Sequence, residues 1–221
     1  MQGIRAVIVD LDGTMVDTLG DFDVALNRTL EDLDRPAVTR ADIERMVGKG
    51  SAHLIRSALM HGGLSAEEVG ALQADAWTRY QAHYLAINGQ HSAVYPGVVE
   101  GLTALRECGL PLACLTNKPL GFARPLLQAK RLDGFFAQVF GGDSFERTKP
   151  DPLPLLKTCE ALGTPPAHTL MVGDSQNDGI AARAAGCPVV LVTYGYNHGD
   201  PIDQAPHDRL IGSLEDLLHF S

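Results

Sequence analysis

Two aspartates, Asp10 and Asp12, follow an apolar run near the start of the chain. Residues 4–9 are apolar apart from Arg5, which is typical of a strand buried on both faces. Residues i and i+2 at the end of a strand point the same way, so the two carboxylates are expected to lie close together. Like charges held close repel each other, and a fold tolerates them where a cation or a reaction needs them. The pair therefore predicts a site that binds a cation or moves a proton.

Further polar residues follow other apolar runs. They are Thr116, Asn117 and Lys118, then Lys149, and finally Asp174, Ser175, Asn177 and Asp178. Taken singly, each has a plain structural explanation, because Asp and Asn end strands and Ser caps helices. In a parallel sheet, however, ligands bind beyond the carboxyl ends of the strands. The set as a whole therefore predicts one site at one edge of a sheet.

The elements that must position these residues alternate between strand and helix after residue 95. Strands are predicted at about 4–10, 110–115, 138–140, 169–172 and 189–193, and helices at 98–107, after Pro119, at 153–161, at 177–185 and at 214–220. This alternation is typical of an α/β fold, a parallel sheet with helices on both faces.

The segment 17–92 has a different character. Apolar residues recur there at helical spacing, Ser65 and Glu68 form a capping-box pattern, and no convincing strand is found. We expect an inserted helical domain over residues 17–92. Residues 1–16 and 93–221 then form the core domain.

Composition narrows the classes of function. The 221 residues are 45% hydrophobic, enough for one large domain or a domain with an insertion. A net charge of -9 argues against nucleic acid and anionic membranes as partners. The four cysteines form no CxxC pair, and neither a signal segment nor a membrane-length apolar run is found, so a cytoplasmic protein is expected. The sequence does not distinguish a monomer from a homodimer.

The predicted set of carboxylates, a hydroxyl and lysine suits phosphoryl transfer. Oxygen ligands favour Mg²⁺, which pairs carboxylates with a substrate phosphate and would relieve the repulsion among the acids. Lys149 and the hydroxyl of Thr116 fit the stabilisation of a phosphoryl group in transfer. Asp10 could attack phosphorus and form an aspartyl phosphate. Asp12 could protonate the leaving alkoxide and then deprotonate the attacking water. The predicted partner is a small phosphorylated metabolite.

Four motifs carry a resemblance to a known family. DLDGT from Asp10, LTNK from Leu115, KPDP from Lys149 and GDSQND from Gly173 resemble, in this order, the motifs of the haloacid dehalogenase-like hydrolases. The resemblance covers nearly the whole chain and implies a Rossmann-like parallel sheet with an inserted α-helical cap domain.

The resemblance also implies roles for single residues. Asp10 would be the nucleophile, Asp12 the acid/base, Thr116 and Lys149 the phosphate contacts, and Asp178 a supporting acid. Mg²⁺ would be held by Asp10, the main-chain carbonyl of Asp12, and Asp174. Gly13 and Asn117 are further expected to contact substrate.

A narrower resemblance is to the bacterial phosphoglycolate phosphatases. It rests on GDSQNDGIAARAAG from Gly173 and TYGYNHG from Thr193. One departure is Gly179, where that group usually has Ile directly after the aspartate. The implied reaction is hydrolysis of 2-phosphoglycolate to glycolate and phosphate.

The turn VGKG, residues 47–50 in the helical segment, is the candidate specificity element. Gly50 lets the backbone approach a ligand closely, and Lys49 could meet a substrate carboxylate. A plain turn between helices with a solvated lysine explains the same residues equally well.

Other classes of protein fit these residues less well or stay open. In a response-regulator receiver the phosphorylated Asp follows the third strand and the Lys follows the fifth. Here the acidic pair follows the first strand, and an acidic cluster follows the Lys. This order argues against a receiver. A dehalogenase has no use for Asp12, because a leaving halide needs no proton. A non-enzymatic scaffold is disfavoured because every catalytic position is filled. Another small sugar-phosphate phosphatase and a β-phosphoglucomutase-like phosphotransferase stay open.

Overall fold

The computed structural model describes residues 3–219 of the chain. The strands are β1 (Ala6–Val9), β2 (Val16–Asp17), β3 (Ala93–Val94), β4 (Leu112–Leu115), β5 (Gln138–Phe140), β6 (Thr169–Gly173), β7 (Val189–Val192) and β8 (Arg209–Ile211). The α-helices are α1 (Leu19–Asp32), α2 (Arg40–Met46), α3 (Ser51–His61), α4 (Ala66–Ile87), α5 (Val98–Glu107), α6 (Leu120–Ala129), α7 (Leu153–Leu162) and α8 (Gln176–Ala185). Short 3₁₀ helices lie at Asp133–Phe135, Pro166–His168, Ile202–Gln204 and Leu214–His219.

The core of the fold is a parallel sheet with the strand order β5-β4-β1-β6-β7-β8. β1 lies in the middle, and its last residue, Val9, pairs with Cys114 of β4 and Val172 of β6. Val7 and Val9 pack with α5 and α6 on one face, whereas Ile8 packs with α7 and α8 on the other. The predicted α/β class with helices on both faces is therefore confirmed.

Two features of the sheet differ from the sequence-based expectation. A sixth strand, β8, pairs in parallel with β7 at the edge of the sheet and was not predicted. It has three residues, of which Arg209 is exposed and Ile211 buried, too few to establish a period. At the C-terminus the predicted helix at 214–220 is a 3₁₀ helix, Leu214–His219, and Phe220 lies outside the described residues.

β2 and β3 form a two-stranded antiparallel ribbon. It lies where the chain leaves the sheet for the helical segment and where the chain returns. Val16 pairs with Val94, and Asp17 pairs with Ala93. The expectation of no strand within residues 17–92 is therefore wrong at Asp17. Strands of two residues leave no periodic signal, because alternation needs a longer run.

Helices α1 to α4 pack around their own hydrophobic cluster. The capping box predicted at Ser65 and Glu68 is present at the start of α4. Fully buried Tyr80 and Tyr84 of α4 stack on each other, and Phe122 of α6 packs against both rings. The helical cluster thus packs onto the α/β core through α6. The exact division at residues 17 and 92 stays a prediction.

In the described part of the chain, no helix combines the length and the apolar character that a bilayer crossing requires. The cysteines are free thiols, three of them buried.

Candidate active site

The strand ends of β1, β4 and β6 and the loop after β5 meet at one cavity. The cavity is lined by Asp10, Asp12, Phe22, Val47, Gly48, Gly50, Ser51, Leu54, Thr116, Asn117, Lys118, Lys149, Asp174, Ser175, Asn177, Asp178 and Tyr196. The core supplies the charged residues, and α1, α3 and the turn before α3 supply a mainly apolar wall. Most of the residues singled out in the sequence therefore share one cavity.

Lys149 lies at the centre of the charged cluster. Its Nζ is 2.9 Å from Oδ1 of Asp10, 2.6 Å from Oδ1 of Asp178 and 3.0 Å from the main-chain oxygen of Leu115. Burial alone would lower the pKa of Lys149, but Asp10 and Asp178 raise it above its ordinary value. The ammonium is therefore charged. It donates hydrogen bonds to Asp178 and to the main-chain oxygen of Leu115 and forms an ion pair with Asp10.

Asp10 is a buried carboxyl group in a crowded acidic environment. Burial raises its pKa to about 7, with the nearby carboxylates of Asp178 and Asp12 adding to the shift and Lys149 opposing it. Ionised Asp10 is thus costly in the protein alone, and a further cation would favour the carboxylate.

Asp10, Asp174 and Asp178 together form the candidate metal site. One carboxylate oxygen of each lies within 4.8 Å of the other two, and all three residues are buried. Burial raises the pKa of Asp174 well above its ordinary value, and Asp178 and Asp10 add to that shift. Buried oxygen ligands that resist ionisation are a donor set that a hard divalent cation fits, because its charge offsets both burial and repulsion.

The surrounding residues fix the orientation of Asp174. Its Oδ1 accepts a hydrogen bond from Thr14 Oγ1 at 3.1 Å, and its Oδ2 accepts one from the main-chain N–H of Tyr196 at 2.6 Å. Asp178 is held more firmly, since its Oδ2 accepts from the N–H and the hydroxyl of Ser175 in the capping box of α8. This geometry agrees with a supporting place for Asp178.

Asp12 has a cationic partner of its own, Lys118. Nζ of Lys118 lies 2.8 Å from Oδ1 and 3.1 Å from Oδ2 of Asp12. This ion pair holds the side chain of Asp12 apart from the metal cluster. The resemblance assigns to Mg²⁺ the main-chain carbonyl of Asp12 and not its side chain. The LTNK motif includes Lys118, but no role for this residue follows from the sequence.

Thr116 and Asn117, also in the segment after β4, have mainly structural contacts. Thr116 Oγ1 accepts a hydrogen bond from the N–H of Lys118 at 3.1 Å, so its own proton is free for another acceptor. Asn117 Nδ2 donates to the main-chain oxygens of Gly48 and Lys149 at 3.0 and 2.8 Å, and its Oδ1 accepts from the N–H of Lys149 at 3.0 Å. Its side chain thus ties the loop of Lys149 to the helical segment, and direct substrate contact by Asn117 stays a prediction.

The turn between α2 and α3 docks on the core through Gly48. The main-chain oxygen of Gly48 accepts hydrogen bonds from the amides of Asn117 and Asn177, at 3.0 and 3.1 Å. His198 lies 3.1 Å from the amide nitrogen of Asn177 and so close to Gly48 that a side chain there would clash. The sequence places Asn177 after a strand and His198 in the tail motif, and no local pattern predicts that either meets Gly48.

Of the two neighbouring residues Lys49 and Gly50, only Gly50 lines the cavity. Gly50 lines the cavity with a φ of 87°, as expected for a close backbone approach. Lys49 is exposed and is not among the residues that line the cavity. Contact between Lys49 and a substrate stays a prediction that this geometry does not favour.

Tyr196 connects the candidate metal site to the ribbon. Its hydroxyl donates a hydrogen bond to Asp17 and accepts one from the N–H of Thr18 at 2.9 Å, while its own N–H donates to Asp174.

Gly179, the departure from the expected motif, lies against the main-chain oxygen of Pro206, where any side chain would clash. A glycine is therefore required at residue 179 in this chain.

Gly13 offers a direct test of how tightly the site is built. Its φ is 82°, and a Cβ there would collide with the carboxylate of Asp174 and the ring of Tyr196. We expect Gly13→Ala to lower the free energy of unfolding by at least about 2 kcal/mol, because left-handed backbone and overpacking add. Chemical denaturation measures the loss, and Gly121→Ala, in open space on α6, is the control. A loss below about 0.5 kcal/mol would show that the site is looser than described.

Comparisons with known proteins agree with the family resemblance of the four motifs. Residues 4–186 match the family of haloacid dehalogenase-like hydrolases. Over 211 residues the chain is 44% identical to a phosphoglycolate phosphatase of Thiobacillus denitrificans, covering 96% of this chain and 92% of that protein. It is 44% identical over 213 residues to a plasmid-borne phosphoglycolate phosphatase of Cupriavidus necator, covering 96% and 90%.

Among solved structures, a predicted phosphoglycolate phosphatase from Haemophilus somnus superimposes with a TM-score of 0.92 at 34% identity, covering 99% of this chain and 98% of that one. The similarity thus extends over both the sheet and the helical segment.

Proposed function

This chain belongs to the haloacid dehalogenase-like hydrolases, and on that basis we propose that it is a Mg²⁺-dependent phosphoric monoester hydrolase that acts on 2-phosphoglycolate. The observation that carries the proposal is the separate placement of the two aspartates. Asp10 lies in the acidic cluster with Lys149, whereas Asp12 is paired with Lys118 outside it. Two neighbouring carboxylates in different environments suit two different tasks.

The proposed reaction has two steps. In the first, a carboxylate oxygen of Asp10 forms a bond to phosphorus as the ester P–O bond breaks, and Asp12 gives its proton to the leaving alkoxide. In the second, water attacks phosphorus, Asp12 takes a proton from that water, and the Asp10–phosphate bond breaks. Lys149 and the hydroxyl of Thr116 stabilise the negative charge on the phosphoryl oxygens.

Mg²⁺ would be held by Asp10, Asp174 and the main-chain carbonyl of Asp12. When bound, it supplies positive charge that favours ionised Asp10 and balances charge on the phosphoryl group. The burial of Asp10 and Asp174 in one acidic cluster supports their part in this assignment. Asp178 supports the site by holding Lys149 and the start of α8.

We assign the helical segment 17–92 the role of a cap over the site. Phe22, Leu54 and Gly50 provide cavity wall from this segment, and such a wall excludes bulk water and limits substrate size. The names of the full-length relatives at 44% identity support 2-phosphoglycolate as the substrate.

Phosphate release from a panel of esters tests the proposed substrate. The panel contains 2-phosphoglycolate, hexose phosphates and nucleoside monophosphates, each with Mg²⁺ and with a chelator. We expect kcat/KM to be at least about tenfold higher for 2-phosphoglycolate, and chelator to abolish release. Equal rates on hexose phosphates would point to a sugar-phosphate phosphatase, and interconversion of glucose phosphates would point to a mutase.

Mg²⁺ is expected to stabilise the protein more at pH 8 than at pH 5. The raised pKa values of Asp10, about 7, and of Asp174 mean that the folded protein keeps protons that the unfolded chain has lost. The contribution of these two groups to metal-free stability therefore falls as pH rises from about 4 to about 7. Mg²⁺ competes with those protons at low pH and binds freely at high pH.

Thermal unfolding measures this effect. At a hundredfold excess of Mg²⁺ over its Kd we expect Tm to rise by about 5–10 °C at pH 8 and by much less at pH 5. Asp174→Asn should remove the rise, whereas Asp203→Asn, at an exposed aspartate, should keep it. The same rise at both pH values, or in Asp174→Asn, would contradict the proposed metal site.

A further inference from the structure

Lys118 is a buried lysine at the border between the core and the helical segment. Its side chain is 1% exposed, and its Nζ lies within hydrogen-bond distance of both carboxylate oxygens of Asp12. It follows β4 and lines the cavity beside Thr116. A buried ammonium is costly unless it is paired, so its position calls for an explanation.

Two rings from the helical segment enclose the ammonium on its other side. Nζ lies 4.4 Å from the centroid of Phe22 in α1 and 4.8 Å from that of Tyr84 in α4. Ring faces attract a cation without providing a hydrogen-bond acceptor. Lys118 is therefore kept in the cavity wall with Asp12 as its anionic partner.

The other lysines near the cavity are less suited to bind a second anionic group of the substrate besides its phosphate. Lys149 forms an ion pair with Asp10 and donates hydrogen bonds to Asp178 and the main-chain oxygen of Leu115, which places it beside the proposed nucleophile and the phosphoryl group. Lys49 is exposed and does not line the cavity. Among the described residues that line the cavity, Lys118 is thus the cation that lies outside the acidic cluster.

We propose that Lys118 binds the anionic group on the alcohol part of the substrate, and so selects phosphoesters with a carboxylate next to the ester carbon. The inference rests on the proposed function and deepens it. When the substrate carboxylate takes Nζ of Lys118, Asp12 loses its cationic partner and takes up a proton from water, which it then gives to the leaving alkoxide. An ester with a neutral tail leaves Asp12 and Lys118 paired.

The distance between Lys118 and Asp12 suits this change of partner at Lys118. Asp12 must touch the ester oxygen to protonate it, and Nζ of Lys118 is 2.8 Å from Asp12. In 2-phosphoglycolate the carboxylate carbon is two bonds from that ester oxygen. A carboxylate in this position therefore comes within reach of Lys118, whereas exposed Lys49 is not in the cavity wall.

Matched substrates and variants test the inference. 2-Phosphoglycolate is compared with 2-hydroxyethyl phosphate, which replaces the carboxylate by a neutral alcohol. We expect the wild type to prefer 2-phosphoglycolate in kcat/KM, and Lys118→Met to reduce that preference by about 10- to 100-fold, since hydrogen bonds to charged groups are the strong ones. Lys157→Met, on the exposed face of α7, is the control with an unchanged preference.

Binding separates recognition of the anion from proton transfer. Calorimetry on Asp10→Asn and on Asp10→Asn/Lys118→Met, with Mg²⁺ present, measures affinity for both esters without turnover. The second substitution should weaken binding of 2-phosphoglycolate and leave 2-hydroxyethyl phosphate nearly unchanged. Lys118→Gln, which keeps a polar side chain, serves if Lys118→Met does not fold.

Each failure has a distinct signature. Equal losses for both esters would overturn the inference and reduce Lys118 to a positioning residue for Asp12, with the phosphatase intact. Loss of preference in Lys49→Met but not in Lys118→Met would overturn it in favour of Lys49. A wild type that hydrolyses both esters equally would overturn anion recognition, and a wild type that hydrolyses no phosphoester would overturn the proposed function as well.

Discussion

Asp10→Asn is expected to lower kcat for 2-phosphoglycolate by at least about 10⁴-fold. The amide has nearly the shape of the carboxylate but is not a nucleophile, so the covalent step is lost. The change also removes one carboxylate from the candidate metal site. Initial rates of phosphate release with saturating Mg²⁺ measure the effect, and Asp203→Asn is the matched control at an exposed position.

Stability distinguishes lost chemistry from lost structure. Burial raises the pKa of Asp10 to about 7, so a neutral side chain is favoured at this position. Metal-free Asp10→Asn should therefore be at least as stable as the wild type at pH 8 by chemical denaturation. Activity within tenfold of the wild type would exclude Asp10 as the nucleophile, and a large loss of stability would make the kinetic result uninformative about the role of Asp10.

Lys149→Met is expected to lower the free energy of unfolding by about 3–5 kcal/mol at pH 8. The substitution leaves Asp10 and Asp178 buried beside Asp174 without the cation that now separates them. At pH 5 the loss should be smaller, because carboxyl groups with raised pKa values can take up protons instead. Urea denaturation of the metal-free protein at both pH values measures the difference.

The control for Lys149 is another lysine in a carboxylate pair. Lys157 pairs with Glu160 on the surface of α7, and Lys157→Met should cost less than about 1 kcal/mol at either pH. A loss for Lys149→Met as small as that of the control would mean that Lys149 does not hold the acidic cluster together.

The strand ends are the part of the site that the sequence predicted best. Asp10, Thr116 and Asp174 each follow an apolar run, and parallel strands bring such residues to one edge whatever the loops do. The class of fold and the resemblance to the family are confirmed for the same reason, because both rest on local pattern and on the order of motifs. The catalytic roles stay predictions until they are measured.

Contacts between distant segments could not be predicted. Lys118 and Asp12 are separated by 106 residues, and no local pattern indicates that the two side chains meet. The docking of Gly48 against Asn177 spans 129 residues. Lys49 was a candidate for anion contact because of its residue type. The backbone of the turn determines which residues line the cavity, and it places Lys49 outside the cavity wall. The short strands β2, β3 and β8 were missed because they show no period, although β5, which also has three residues, was predicted.

Rapid quenching of the enzyme during turnover of 2-phosphoglycolate tests the central claim, that Asp10 carries the phosphoryl group. The acid-quenched protein is digested and its peptides are analysed by mass spectrometry. We predict one added phosphoryl group on the N-terminal peptide, located at Asp10 and absent from Asp10→Asn. A phosphoryl group on any other residue, or turnover with no phosphorylated peptide at any quench time, would contradict the account.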